Sequence, residues 1–314
     1  MLEIGLTDYA KIKHFQNVLA GLCDGLGLGK RDTAAVSFDH RCMMVSGLHA
    51  KETAAMELML DVERVFDHYR CDVPCQINLS VYQVLHIVRK ARRGDDVTLA
   101  AYVGSDGPVD LKIGVAPPEN IPRARFTLHL SQDALTSAFS LHTVQIPDDA
   151  SRAEASIKLS SGTTHNANST LSETGAELIR IKATPERLSF IGERHTDRQV
   201  HGICLDYHVN PGRLVNEDFS YDDLEEDVTA TLFMEDFSII CRITKNLSET
   251  GNVMLRLRED APATFLMYTL GGDIRYTCST LRSVLVEDEE NSVPEEEQPP
   301  PAPRPKRRKK RHAT

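Results

Sequence analysis

Phe66-Asp67-His68-Tyr69-Arg70-Cys71-Asp72, followed closely by Ile77-Asn78-Leu79-Ser80, leads into Val81-Tyr82-Gln83-Val84-Leu85-His86-Ile87-Val88-Arg89-Lys90-Ala91-Arg92-Arg93. Val81, Val84, Leu85 and Val88 fall at i, i+3, i+4 and i+7, so the spacing predicts a helix over 81–92 with one apolar stripe. His86, Arg89, Lys90 and Arg93 repeat that spacing on the opposite face. A helix apolar on one side and basic on the other packs on a core and offers cations to something anionic. In isolation a merely solvated charged face reads the same way.

Working outward, the chain repeats a plan: strand, helix, strands, helix, strands, twice over. The helix at 81–92 leads through Gly94-Asp95-Asp96 into a strand at Val97–Ala100, a turn at Gly104–Pro108 and a strand at Val109–Ile113. Later, a helix over Phe233–Lys245 leads through 246–252 into Val253–Arg258, a turn at Asp260-Ala261-Pro262 and a strand at Ala263–Leu270. Earlier helices, about Tyr9–Leu22 and Ser161–Leu171, each follow a short strand. The expectation is an α+β chain of two similar domains, each with two helices packed on antiparallel sheets. The predicted divisions are 1–130, a connecting loop at 131–150, a second domain at 151–286 and a tail at 287–314.

Composition narrows the function. At 314 residues the chain suits one large domain or two ordinary ones, and 41% hydrophobic with 26% charged residues is typical of globular proteins. No apolar run reaches the length of a membrane span, and Met1-Leu2-Glu3-Ile4 has no signal-segment pattern, so neither membrane association nor secretion is expected. Seven scattered cysteines (23, 42, 71, 75, 204, 241, 278) include one close pair without a second Cys/His pair, which favours reduced core residues over a metal site. His195-Thr196-Asp197 and Asp206-Tyr207-His208 alternate imidazole and carboxylate, but twelve histidines make chance pairs expected. There is no Gly-rich phosphate loop and no nucleophile elbow. No catalytic residue, metal site or cofactor is assigned, and the expectation is a protein that is not an enzyme.

The formal charge is −10, yet the tail carries seven acids and seven bases, which cancel. The body alone is therefore acidic while gathering bases on one helix face. Segregation of this kind would let a protein attract phosphates locally without adhering to nucleic acid everywhere. The tail runs acidic, then proline-rich at 298–303, then basic; it is expected to be disordered. Lys306, Arg307, Arg308, Lys309, Lys310 and Arg311 read as a nuclear-import signal, with a phosphate-binding arm as the competing reading.

The Phe66–Asp72 and Ile77–Ser80 segments, the basic helix and the following strand pair resemble the first domain of the proliferating cell nuclear antigen family, the eukaryotic DNA sliding clamps. The resemblance continues through Ile157-Lys158-Leu159-Ser160-Ser161-Gly162, Leu171–Ala176 and Glu259-Asp260-Ala261-Pro262, in order over about residues 1–281. Phe66–Asp72 is the specific element; the others persuade by their order. The segment 30–55 carries no assigned site.

The resemblance implies a DNA-clamp fold and a ring, three subunits being the family's number, that encircles duplex DNA without reading sequence. It also implies a clamp loader, and partners such as DNA polymerase and repair factors docking through short peptides. DNA-facing candidates are Lys11 and Lys13, with His14 beside them; His86, Arg89, Lys90, Arg92 and Arg93; and Arg242 and Lys245. The helix at 161–171 departs from the family, which usually places arginines where this chain has Asn166 and Ser169, leaving His165 as its one candidate cation. That departure points to a divergent clamp, a viral member included. The implied peptide pocket involves Val144, Ile146, Pro147 and Pro262, under a connecting loop longer than the family's. Ring closure would pair the strand at 123–130, including Arg125, Phe126 and Leu128, with a neighbour's strand at 200–205, including Gly202 and Cys204. The expected location is the nucleus. Alternatives are a checkpoint-type clamp subunit, a viral processivity factor that binds DNA without closing, and a nuclear adaptor or chaperone acting through the charged tail.

Overall fold

The computed structural model describes residues 1–51, 53–104, 107–117, 124–129, 155–196, 199–208, 219–222, 227–248, 251–258 and 262–279. Its first half runs β1 (Leu2–Leu6), α1 (Tyr9–Leu26), β2 (Ala34–Phe38), β3 (Cys42–Leu48), β4 (Ala54–Asp61), the single turn α2 (Val62–Val65), β5 (His68–Cys71), β6 (Cys75–Leu79), α3 (Val81–Val88), β7 (Asp96–Gly104), β8 (Gly107–Ala116) and β9 (Ala124–His129). The second runs β10 (Ala155–Ser160), α4 (Ser161–Glu173), β11 (Leu178–Thr184), β12 (Arg187–Thr196), β13 (Gln199–His208), β14 (Phe219–Asp222), β15 (Val228–Phe233), α5 (Met234–Leu247), β16 (Asn252–Leu257), β17 (Ala263–Thr269) and β18 (Gly272–Cys278).

The repeat expected from the sequence is visible in the strand order. One sheet reads β5-β1-β7-β8-β9, and its counterpart β14-β10-β16-β17-β18 forms part of a nine-stranded sheet. The rest of that large sheet, β4-β3-β2-β6, corresponds to the separate sheet β13-β12-β11-β15. What merges the two halves is the antiparallel pairing of β18 with β4, from Gly272↔Leu60 to Cys278↔Ala54. By the same correspondence β9 is the equivalent of β18, and β13 the equivalent of β4. Both are outermost strands among the described residues.

Four helices lie in one row, α3 against α1, α1 against α5, and α5 against α4. Alternation on the strands and the helical stripe put Ile12, Phe15, Val18, Leu19 and Leu22 of α1, and Phe237 and Ile240 of α5, into one continuous core. Each such side chain contributes roughly 1.5–3 kcal/mol by leaving water. The α1–α5 approach, which joins the halves a second time, depends on small residues. A Cβ on Gly21 would lie 2.6 Å from Leu247 of α5, and one on Gly25 would lie 3.3 Å from Ile243 of α5 while running into the Met56 sulfur of β4.

The Phe66–Asp72 motif turns out to be a joint. Phe66 is buried edge-on against Phe15, with ring centroids 5.4 Å apart, and stacks on Tyr69. Asp67 accepts hydrogen bonds from the backbone N–H of Thr7 (2.7 Å) and of Asp8 (2.9 Å), fixing the start of α1. Tyr69 donates its hydroxyl to the Asp39 carbonyl at 2.6 Å, and Asp72 pairs with the chain's amino terminus and with Arg70. Every role here is structural.

Two helices differ from their predicted lengths, and α1 does so by running on to Leu26, past the expected Leu22. α3 ends at Val88 instead of continuing to 92. The N–H groups of Lys90 and Ala91 donate to the carbonyls three residues back, and the Asp95 carboxylate then takes the Arg92 N–H at 2.8 Å. Gly94 follows at φ +87°, a backbone that suits glycine and closes the helix. The residues that looked like a basic helical face are therefore a basic helix end.

Candidate functional site

The exposed side of the helix row carries most of the predicted cations, unevenly. At the α3 end His86, Arg89, Lys90, Arg92 and Arg93 are all exposed. Four of them sit at or just past the C-terminus of α3, where the helix dipole favours positive charge. Lys90 also places its ammonium 4.6 Å from the ring centroid of Phe126 on β9, tying this cluster to an outermost strand.

α1 contributes less than its sequence promises. Lys11 is half-buried, 2.9 Å from the Asp67 carboxylate and donating to the Phe66 carbonyl at 3.2 Å. Burial works to raise the Asp67 carboxyl, but the Asp8 N–H, the Lys11 ammonium and the Thr7 N–H outweigh it and hold it far below the ordinary range. Lys11 thus serves the helix start and is not a cation offered to solvent. Lys13 is exposed, lies over Tyr9 and donates to Gln16. On α5, Arg242 and Lys245 are exposed, and the Arg242 Nε lies 3.8 Å from Asp24 on α1.

α4 closes the row without a lysine or arginine. Asn166 donates to the Tyr207 hydroxyl on β13 at 3.2 Å, Ser169 donates to Glu173, and Asn168 accepts from Ser238 of α5. His165 is exposed. One end of the row is dense in cations and the other is neutral to acidic.

The two proposed pairing strands have matching inner faces. Phe126 and Leu128 stand opposite Ile113 and Leu111, so they lie on the helix side, where both are half-buried. On β13, Ile203 stands opposite Gly192, whose Cβ position abuts Leu171 of α4, so Ile203 also lies on the helix side. It is nevertheless 42% exposed. Cys204 is exposed, its thiol donating to Asp206; for Arg125 and Gly202 the structure gives backbone pairing, with Gly114 and Glu193 respectively.

Of the peptide-pocket candidates, Val144, Ile146 and Pro147 lie outside the described residues, as do Lys306–Arg311. Pro262 is exposed at the end of the nine-stranded sheet, one residue before Ala263, which pairs with Cys278. The sequence reading missed the outer face of that sheet. Met44, Met59 and Tyr268 are exposed there around a groove of about 490 Å³ also lined by Glu57, Leu266 and Arg275. The signal was present: these residues occupy the solvent parity of strands whose other parity is the core.

Three of the thiols are unsuited to nucleophilic catalysis. Burial pushes Cys23 and Cys75 up to about 11 and Cys241 to about 12, so they stay protonated at neutral pH. Among the described residues no group of three or more His, Cys, Asp or Glu could hold a metal ion, and no helix is long and apolar enough to cross a membrane. Asp206 is occupied by Ser189 and Arg187.

Comparison with known proteins places these features. Residues 4–131 match the model for the proliferating cell nuclear antigen N-terminal domain. The structure is similar to that of proliferating cellular nuclear antigen from Entamoeba histolytica, with TM-score 0.68, 16% identity, and 89% of this chain and 98% of that one covered. It is also similar to the homonymous protein of Thermococcus kodakaraensis, with TM-score 0.66, 17% identity, and 89% and 100% covered. A search of curated proteins finds no match.

Proposed function

From a chain whose first domain belongs to the proliferating cell nuclear antigen family and whose fold is that family's sliding-clamp fold, we propose a non-enzymatic ring that encircles duplex DNA. It would tether a DNA polymerase and other factors that bind through short peptides, act in the nucleus and assemble from three copies. The single observation that carries this reading is the pair of outermost strands β9 and β13. Inside the chain their equivalents β18 and β4 are already paired. A second copy can offer β13 to β9 as β4 is offered to β18, and head-to-tail joining of this kind closes into a ring when the rotation fits. The helix row, bearing Arg89, Lys90, Arg92 and Arg93, would then face the bore and hold phosphates through weak, exchangeable contacts.

The decisive experiment is topological. Protein assembled on nicked circular DNA should survive a salt wash and be lost once the circle is cut; equal loss from intact circles overturns encirclement. Replacing Arg89, Lys90, Arg92 and Arg93 by Ala should leave the oligomer mass intact and flatten the salt dependence of binding. The log–log slope should fall by about 0.9 for each phosphate the variant no longer neutralises. An unchanged slope in an intact ring would mean the bore lies elsewhere.

A further inference from the structure

The two ends of the helix row coincide with two of the outermost strands, β9 and β13. α3 reaches β9 through Lys90 over Phe126, and α4 reaches β13 through Asn166 bound to Tyr207. Any head-to-tail contact of β9 with a neighbour's β13 therefore sets the α3 cluster of one copy beside the α4 of the next. Phe126, Leu128 and Ile203 would form the apolar floor of that seam, which gives the exposed Ile203 a cover that its own helix row lacks.

We propose that α4, which carries no lysine or arginine, is the electrostatic counterpart of the α3 cluster across the subunit seam, permitting closure beside a dense group of cations, and that it is not a phosphate-binding helix. This rests on the ring reading above. Arg89, Lys90, Arg92 and Arg93 crowd one side of the seam. Further arginines on α4 would face them within about one Debye length, close enough for repulsion at low salt to oppose closure before any DNA arrives. α4 supplies instead Asn166 and Ser169, which are turned to hydrogen bonds within the protein, and the carboxylate of Glu173. Phosphate contacts then fall to the first-domain side of each seam, and the neighbouring α4 contributes none.

Charge placed on α4 tests this with opposite signs. In Asn166→Arg/Ser169→Arg, the protein concentration at which the oligomer half-dissociates without DNA should rise roughly threefold to tenfold at about 50 mM salt, converging with wild type at about 0.5 M as screening takes over. Asn166→Glu/Ser169→Glu should shift the midpoint the other way at low salt. Both variants lose the same Asn166–Tyr207 hydrogen bond, so a merely structural disturbance would move both in one direction. Light scattering on dilution reads the midpoint, and far-ultraviolet circular dichroism confirms that α4 is retained. Equal shifts in both variants, or shifts indifferent to salt, overturn the seam proposal while leaving the ring. A wild-type chain that stays monomeric at micromolar concentration and above overturns the ring itself, and the seam with it.

Discussion

The β18–β4 joint and the β9 and β13 edges occupy equivalent places in the two repeats, yet only the first is closed within one chain. At the closed joint Leu58 stands opposite Ile274, and both are almost wholly buried. At the open edges Phe126 and Leu128 are half-buried and Ile203 is exposed. The difference teaches that a repeat can carry the pattern of an association as well as of a fold. In the proposed ring, what one repeat does to its successor within the chain, the last would do to a successor outside it.

The sharpest way to break this comparison is to put the same charge at both joints. Leu58→Asp buries a carboxylate in the core and should cost several kcal/mol, roughly 4 or more, so the protein should fail to fold by circular dichroism. Ile203→Asp should fold normally and run as a monomer by light scattering. If Ile203→Asp kept the assembled mass, β13 would not be the complementary edge.

A smaller effect concerns α1, the helix that crosses the closed joint by packing on α5. Asp67→Asn keeps the shape but removes the charge that holds two N–H groups and Lys11, and should cost about 2 kcal/mol at neutral pH. Because the folded carboxyl is held below its unfolded value, its contribution is present above that unfolded value, near pH 4. It is lost as pH falls toward the folded value. The gap between variant and wild type, read by denaturant melts, should therefore close in acid.

The smallest expected effect has the opposite sign. Asp236 of α5 lies beside the closed joint, buried, accepting from Thr53 and Tyr276 through one oxygen while Oδ2 has no hydrogen-bond partner. Burial raises its carboxyl, partly offset by Thr53. A folded value above the unfolded one means that ionisation destabilises as pH rises through the unfolded value, near 4, up to the folded value. Asp236→Asn should therefore stabilise by about 1 kcal/mol at neutral pH and lose that advantage in acid. A uniform loss at every pH would show that the carboxylate is needed as an acceptor.

Much of this was legible in the residues. The Phe66–Asp72 motif located the first domain, and period-two and period-3.6 patterns placed both helix pairs. The strands read at 123–130 and 200–205 stood out as candidate pairing edges through the family resemblance. What stayed hidden depended on partners distant in sequence. Nothing near Lys11 announces that Asp67, fifty-six residues on, takes its charge. The early end of α3 is set by the Asp95 side chain and by Gly94, which a stripe of valines and leucines outweighs on paper. The groove around Met44, Met59 and Tyr268 required knowing which strands are neighbours, because β4 and β18 meet across more than two hundred residues.

The paired repeats have a mechanical meaning. A closed circle of such chains is a necklace with two kinds of link, one reinforced by the core and by the Gly21–Gly25 helix crossing, the other held by strand edges and a thin apolar floor. In the proposed ring, load would part the second kind, and the break that admits a duplex would fall between α3 and a neighbour's α4. The two lips of that gate differ. One is crowded with arginine and lysine and would catch incoming phosphates; the other carries neither and would let them pass.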